Sequence, residues 1–318
     1  MSARELWFVA PGRVELRSVA TRPAQAGEAR ARALASGISQ GTELLLFRGE
    51  GPEPFDPSLD APGAPTFPRR YGYAWVGEIV EAPGGELAPG TRVFALAPHG
   101  DVHTAPCAAF RRLPDRLPSE RAVLAANLET AVNVVWDAGV ALGDRVLVIG
   151  GGIVGLLCGF AARRAGASRV CLLEPAPRRR AASERLGFDE GSLPEADVVI
   201  EASGNPSCLD LAIGHARFEG VIAVASFYGQ RTAPVALGAE FHRRRLTLRS
   251  SQVSHLPASR RAGWSFDRRF ELVTELLGEG ALDALLEPSL AFSTAPSVYE
   301  ALAASPGDRL QTVFRYDA

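Results

Sequence analysis

The chain has 318 residues, a formal net charge of −2 and an isoelectric point near 6.3. This balance gives neither nucleic acid nor an anionic membrane an electrostatic reason to bind. All 34 basic residues are arginine, which excludes Schiff-base chemistry and any catalytic or phosphate-binding lysine. With 47% hydrophobic and 22% charged residues, the composition is that of a globular protein long enough for two domains.

Cys107, Cys158, Cys171 and Cys208 lack the paired spacing of a zinc knuckle or redox dithiol and read as reduced, mostly buried thiols. The N-terminal MSARELWFVAPG has no continuous apolar core, and no run approaches about 18 uncharged apolar residues. The expectation is a cytoplasmic protein.

In chain order, the first 120 or so residues hold short β-like runs broken by Gly and Pro: ELWFVA, RVELRSV, YGYAWVGEIVEA and TRVFALAP. Between Gly49 and Arg70, crowded Pro, Gly and Asp predict a long surface loop near a site mouth. An Ala/Val/Leu-rich helix follows from Ala122 to about Gly139. The runs RVLVIG, RVCLLE, DVVIEA and GVIAVASF then alternate with helical patterns, as strands of a parallel sheet covered on both faces do. After Val253 the pattern turns helical, with Phe270, Leu272, Val273, Leu276 and Leu277 largely on one face, and ends in a β-like QTVFRY. That tail is too short to fold alone, so it is expected to return to the first domain. The boundaries read as 1–126, 127–252 and 253–318.

The run Val146–Ile149 leads into Gly150-Gly151-Gly152-Ile153-Val154-Gly155 and then a helix. Here Gly150 permits a tight turn, Gly152 lets a pyrophosphate approach the backbone, and Gly155 permits close helix–strand packing. The helix start at Ile153 and Val154 supplies N–H groups for the phosphates. The next strand ends in Glu174, where an acid holds ribose hydroxyls. Glu174 repels a 2′-phosphate and favours NAD(H) over NADP(H), while Arg178, Arg179 and Arg180 are placed either to attract one or to form a solvated helix start.

The segments ALASGISQGTE, YGYAWVGEIVEA, the glycine motif, DVVIEASG and RRLTLRSSQ resemble the medium-chain dehydrogenase/reductase superfamily across essentially the whole chain. The resemblance implies an α/β fold: a Rossmann doubly wound parallel sheet plus a GroES-like, mostly β catalytic domain. It also implies that Ser203, Gly204 and Ser251 join the glycine motif, Glu174 and Arg179 in binding the dinucleotide. Positions that hold catalytic zinc ligands in zinc-dependent members carry Ser39, Tyr73 with Ala74, and about Ala126. Zinc takes thiolate, imidazole or carboxylate, so no zinc is expected. The four-cysteine structural-zinc lobe is missing too. His99-Gly-Asp101-Val-His103 alternates so that two imidazoles and a carboxylate share a strand face, as a metal site or as hydrogen-bonded loop residues.

The resemblance places Ser39 and Tyr73 beside the nicotinamide. Tyr73 then donates to the substrate oxygen with Ser39 or Thr42 orienting it, or Tyr73 simply packs in the cleft left by zinc. Glu129 and Asn133 lie one helical turn apart and read as a proton relay or as fold-stabilising hydrogen bonds. Three functions stay open: zinc-independent hydride transfer between NAD(H) and a small alcohol, ketone or aldehyde; enone or quinone reduction; and a non-catalytic redox sensor. A homodimer is expected, with GVIAVASF continuing its sheet across two subunits.

Overall fold

The computed structural model describes residues 2–51, 66–305 and 307–317. Strands β1 (Ser2–Ala10), β2 (Arg13–Ala20) and β3 (Glu28–Gly37) precede helix α1 (Gln40–Arg48). Next come β4 (Trp75–Glu81), β5 (Arg92–Ala95), β6 (Val102–Pro106), β7 (Arg111–Arg112), α2 (Ser119–Ala122) and α3 (Ala125–Ala138). An alternating stretch follows: β8 (Arg145–Ile149), α4 (Ile153–Arg164), β9 (Arg169–Leu173), α5 (Pro177–Arg185), β10 (Ala196–Glu201), α6 (Cys208–His215), β11 (Ala216–Val224) and β12 (Thr247–Ser250). The chain ends with α7 (Phe266–Leu276), β13 (Leu290–Ala291), α8 (Ala295–Ala304) and β14 (Val313–Arg315). Of the loop expected between Gly49 and Arg70, residues 52–65 lie outside the described residues.

Two compact units result: residues 1–126 with 286–318, and residues 127–285. The return to the first unit therefore falls at Leu286, where the sequence pattern places it at 253. The reason is on α7: Arg269 is 4% exposed and bonds Glu129 and Asn133 of α3, which ties residues 253–285 to the second unit.

In the first unit, β1 and β2 form an antiparallel hairpin. A seven-stranded sheet runs β13-β14-β3-β4-β5-β7, with β6 also paired to β3. Strand β3 buries alternate alanines, Ala29, Ala31, Ala33 and Ala35, and the small side chains admit Trp75, Ile79, Val93 and Phe110 to the same core. Around α1 and α8, Leu6, Phe8, Leu46, Phe292, Tyr299, Leu302 and Phe314 make a second core.

In the second unit every neighbouring strand pair is parallel, in the order β12-β11-β10-β8-β9. This is the Rossmann order without its third strand: after α5 the chain crosses from β9 directly to β10. The outer edge of β9 is closed by Asp189, whose carboxylate accepts from Val170 N–H at 2.8 Å and whose own N–H donates to Val170 O at 2.7 Å. One sequence expectation is corrected here. The GVIAVASF strand is not an edge, because β12 pairs with it, and β12, with all four residues exposed, is the edge on that side. The β12 residues TLRS have no buried face, which is why they gave no strand signal. Among the described residues no helix is long and apolar enough to cross a membrane.

Candidate functional site

In the second unit the glycine turn is shaped by what side chains would strike. Gly150 has φ +100, and a Cβ there would lie 2.5 Å from Ser203 Cα; one on Gly155 would lie 1.9 Å from Gly150 O. Gly152, the N-cap of α4, faces open space, and its missing side chain leaves a cradle at the N–H groups of Ile153 and Val154 that suits a pyrophosphate. Glu174, its side chain 5% exposed, accepts from Gly151 N–H at 2.7 Å and Ala176 N–H at 2.9 Å. Arg179 Nη1 lies 3.6 Å from the same carboxylate, and Arg180 is drawn to the Glu174 and Pro175 carbonyls. The residues fit a dinucleotide.

Beside the turn, Ser203 N–H and hydroxyl both donate to buried Glu201, and Gly204 N–H donates to Ser226 Oγ at 2.9 Å. Tyr228 completes the cluster by donating to Glu201 at 2.5 Å; burial and this bond push its phenol well above the usual tyrosine range. Tyr228 carries no local signal of this role, because it lies in the irregular segment after β11. Ser251 is turned to Asp137, at 2.6 Å. Glu129 forms a buried ion pair with Arg269 at 3.2 Å, and Asn133 accepts from Arg269 at 3.0 Å while donating to Asp137. Glu129 therefore sits in a salt-bridged network within its own unit.

In the first unit Ser39 is the N-cap of α1, yet its hydroxyl makes no capping bond. It meets the Tyr73 hydroxyl in a short contact, and Tyr73 donates to Thr42 Oγ1 at 3.2 Å. The three hydroxyl residues named from the sequence thus form one cluster. Behind it Glu43, 0% exposed, accepts from Ser39 N–H at 2.7 Å, from Tyr299 O–H and from His99 Nε2 at 3.0 Å. His99 Nδ1 lies 2.6 Å from Ser36 Oγ, which is 2.7 Å from Tyr316 OH. Burial and the Glu43 charge raise the Tyr299 phenol, and burial raises Tyr316, so both remain donors.

His99, Asp101 and His103 diverge: His99 faces Glu43 and Ser36, Asp101 faces Arg4, and His103 Nε2 is 2.7 Å from Pro98 O. No group of three or more His, Cys, Asp or Glu able to hold a metal occurs among the described residues. Two hydroxyls at Ser39 and Tyr73 and two methyl groups at Ala74 and Ala126 do not make the donor set of a tetrahedral zinc.

No protein-family model matches the chain. Among curated proteins it is 27% identical to D-guloside 3-dehydrogenase of Escherichia coli, over 93% of this chain and 95% of that protein. It is 32% identical to 2-desacetyl-2-hydroxyethyl bacteriochlorophyllide A dehydrogenase of Cereibacter sphaeroides, over 63% of this chain and 65% of that one. Among solved structures, 2R,3R-butanediol dehydrogenase from Bacillus subtilis matches with a TM-score of 0.81 at 18% identity, covering 99% of this chain and 100% of that chain.

Proposed function

We infer the activity of a chain that belongs to the medium-chain dehydrogenase/reductase superfamily and is a dehydrogenase/reductase of that type. It transfers a hydride between a nicotinamide dinucleotide, NAD(H) in preference to NADP(H), and a secondary alcohol or its ketone, without zinc. The observation that carries this reading is the Ser39–Tyr73–Thr42 hydroxyl cluster. Relatives are named as D-guloside 3-dehydrogenase and (R,R)-butanediol dehydrogenase, which supports a polyol or glycoside as the substrate class.

The bound dinucleotide supplies the carbon that exchanges hydride with the substrate. The chain's own residues manage the oxygen. In the ketone-to-alcohol direction Tyr73 turns its O–H from Thr42 to the substrate oxygen and gives it the proton, while Ser39 donates to the tyrosine oxygen; in alcohol oxidation the transfer reverses and the tyrosine oxygen takes the alcohol proton. A well-placed donor contributes about 2.7–4 kcal/mol to a developing oxyanion, and Tyr73, its oxygen polarised by Ser39, supplies that share of the several kcal/mol that a Lewis acid gives. Glu174 beside Arg179 disfavours a second phosphate on the ribose. A second copy of the chain pairs at β12, which presents Leu248 at 37% exposure.

The test is hydride transfer measured with both coenzymes on matched polyols, saturated ketones and enones. Oxidation of a polyol, undiminished by a chelator, is expected. Activity confined to enones, or abolished by the chelator and restored by zinc, overturns the reading.

A further inference from the structure

We propose that His99 and Glu43 are positioning residues that set the Ser39–Tyr73 hydroxyl pair, a role that rests on the hydride-transfer reading above. A serine at a helix N-cap ordinarily spends its hydroxyl on the N–H groups of the first turn. Ser39 does not. Glu43, one turn into α1, instead reaches back to the Ser39 N–H, while its own N–H donates to Ser39 O at 2.8 Å. This reciprocal pair resembles a capping box shifted by one residue. It holds the Ser39 backbone from behind and leaves the hydroxyl turned toward Tyr73.

The carboxylate that does this is fully buried, where an anion is costly unless several donors meet it. His99 and Tyr299 supply the two donors beyond Ser39. A consistent proton order runs from Tyr316 O–H to Ser36 Oγ, from Ser36 O–H to His99 Nδ1, and from His99 Nε2–H to Glu43. In this order Ser36 and His99 each accept one bond and pass one on, and His99 is fixed in one tautomer.

The same imidazole supports the other member of the pair. Gly72, directly before Tyr73, has φ +125, and a Cβ there would lie 2.9 Å from His99 Cδ2. His99 N–H also approaches Tyr71 O at 3.4 Å. Ser39, through Glu43, and Tyr73, through Gly72, are thus registered against a single ring. The geometry the hydroxyl pair needs is set by a histidine that does not itself reach it.

The experiment compares Glu43→Gln, His99→Gln and His99→Leu. Steady-state kinetics and dinucleotide titration are run on the full chain, with fluorine NMR of 3-fluorotyrosine placed at position 73 in coenzyme-free protein. Glutamine at 43 sets an amide N–H against one of three donors. It is expected to lower kcat about 10²-fold through misplacement of the hydroxyls, with KM and coenzyme affinity within twofold of the parent and a shifted fluorine resonance.

His99→Gln keeps an N–H for Glu43 and an acceptor for Ser36, and should stay within about threefold of the parent in kcat. His99→Leu keeps neither and should fall with Glu43→Gln. A folded Glu43→Gln protein with parental kcat and an unshifted fluorine signal overturns the proposal. Equal losses in the two His99 variants overturn it as well, and this pair decides if Glu43→Gln does not fold. A parent protein that binds coenzyme but oxidises no secondary alcohol overturns the activity reading alone, and the fluorine spectra then still decide the positioning role.

Discussion

The glycine turn of the second unit and the hydroxyl cluster of the first show two ways of making a site. The turn works by absence: Gly150 and Gly155 let backbone pack where a Cβ would strike Ser203 or Gly150 itself, and Gly152 leaves the cradle open. The cluster works by presence, with Ser39, Thr42 and Tyr73 brought together by a buried polar brace. The first kind depends on a few consecutive residues and their steric economy. The second depends on contacts between residues far apart in the chain, such as Ser36 with Tyr316 across 280 positions.

The sharpest way to break the comparison is Gly155→Ala. The new methyl would meet Gly150 O at 1.9 Å. Because overpacking at a site with no room typically costs about 1–3 kcal/mol, coenzyme affinity measured by fluorescence titration should fall by roughly 5- to 150-fold on that scale. Tyr73→Phe should do the converse, lowering kcat about 10²–10³-fold as the loss of one oxyanion donor does, with the coenzyme titration unchanged. A variant that lost both together would mean that the two sites are not separable.

Next in size is Arg269→Leu, which removes the buried cation paired with Glu129, itself 4% exposed. Removing one member of a buried pair costs about 3–5 kcal/mol, read as a lower urea midpoint. A midpoint within error of the parent's would deny the network that ties α7 to α3. The smallest effect concerns His103, which burial holds down at about 4 from its usual 6.5. The folded chain keeps this imidazole neutral while the unfolded chain protonates it near 6.5. Its contribution is therefore full above pH 6.5 and is lost as the pH falls toward 4. His103→Leu should flatten that part of the stability–pH curve, and an unchanged slope would assign it to other groups.

This contrast also explains what could be read from the sequence. The strands β8 to β11 were legible because each is a short apolar run, and the coenzyme turn because strand, glycines, helix and Glu174 fall within 30 residues of one another by the usual spacing. Strand β12 was not, since an exposed TLRS has no apolar period. In the first unit the resemblance, not the spacing, pointed to Ser39 and Tyr73. Glu43 carried no mark of its role, and His99 read only as one member of a metal-like pattern, because their partnership across 56 positions is made by the fold of the sheet. Tyr299 and Tyr316 carried no local signal at all.

The bond pair between Asp189 and Val170 bears on how copies of this chain assemble. By occupying both the amide and the carbonyl of Val170 on the outer flank of β9, a single aspartate works as a stopper at that position. A strand from a second copy laid along β9 would find that rung of the ladder already taken.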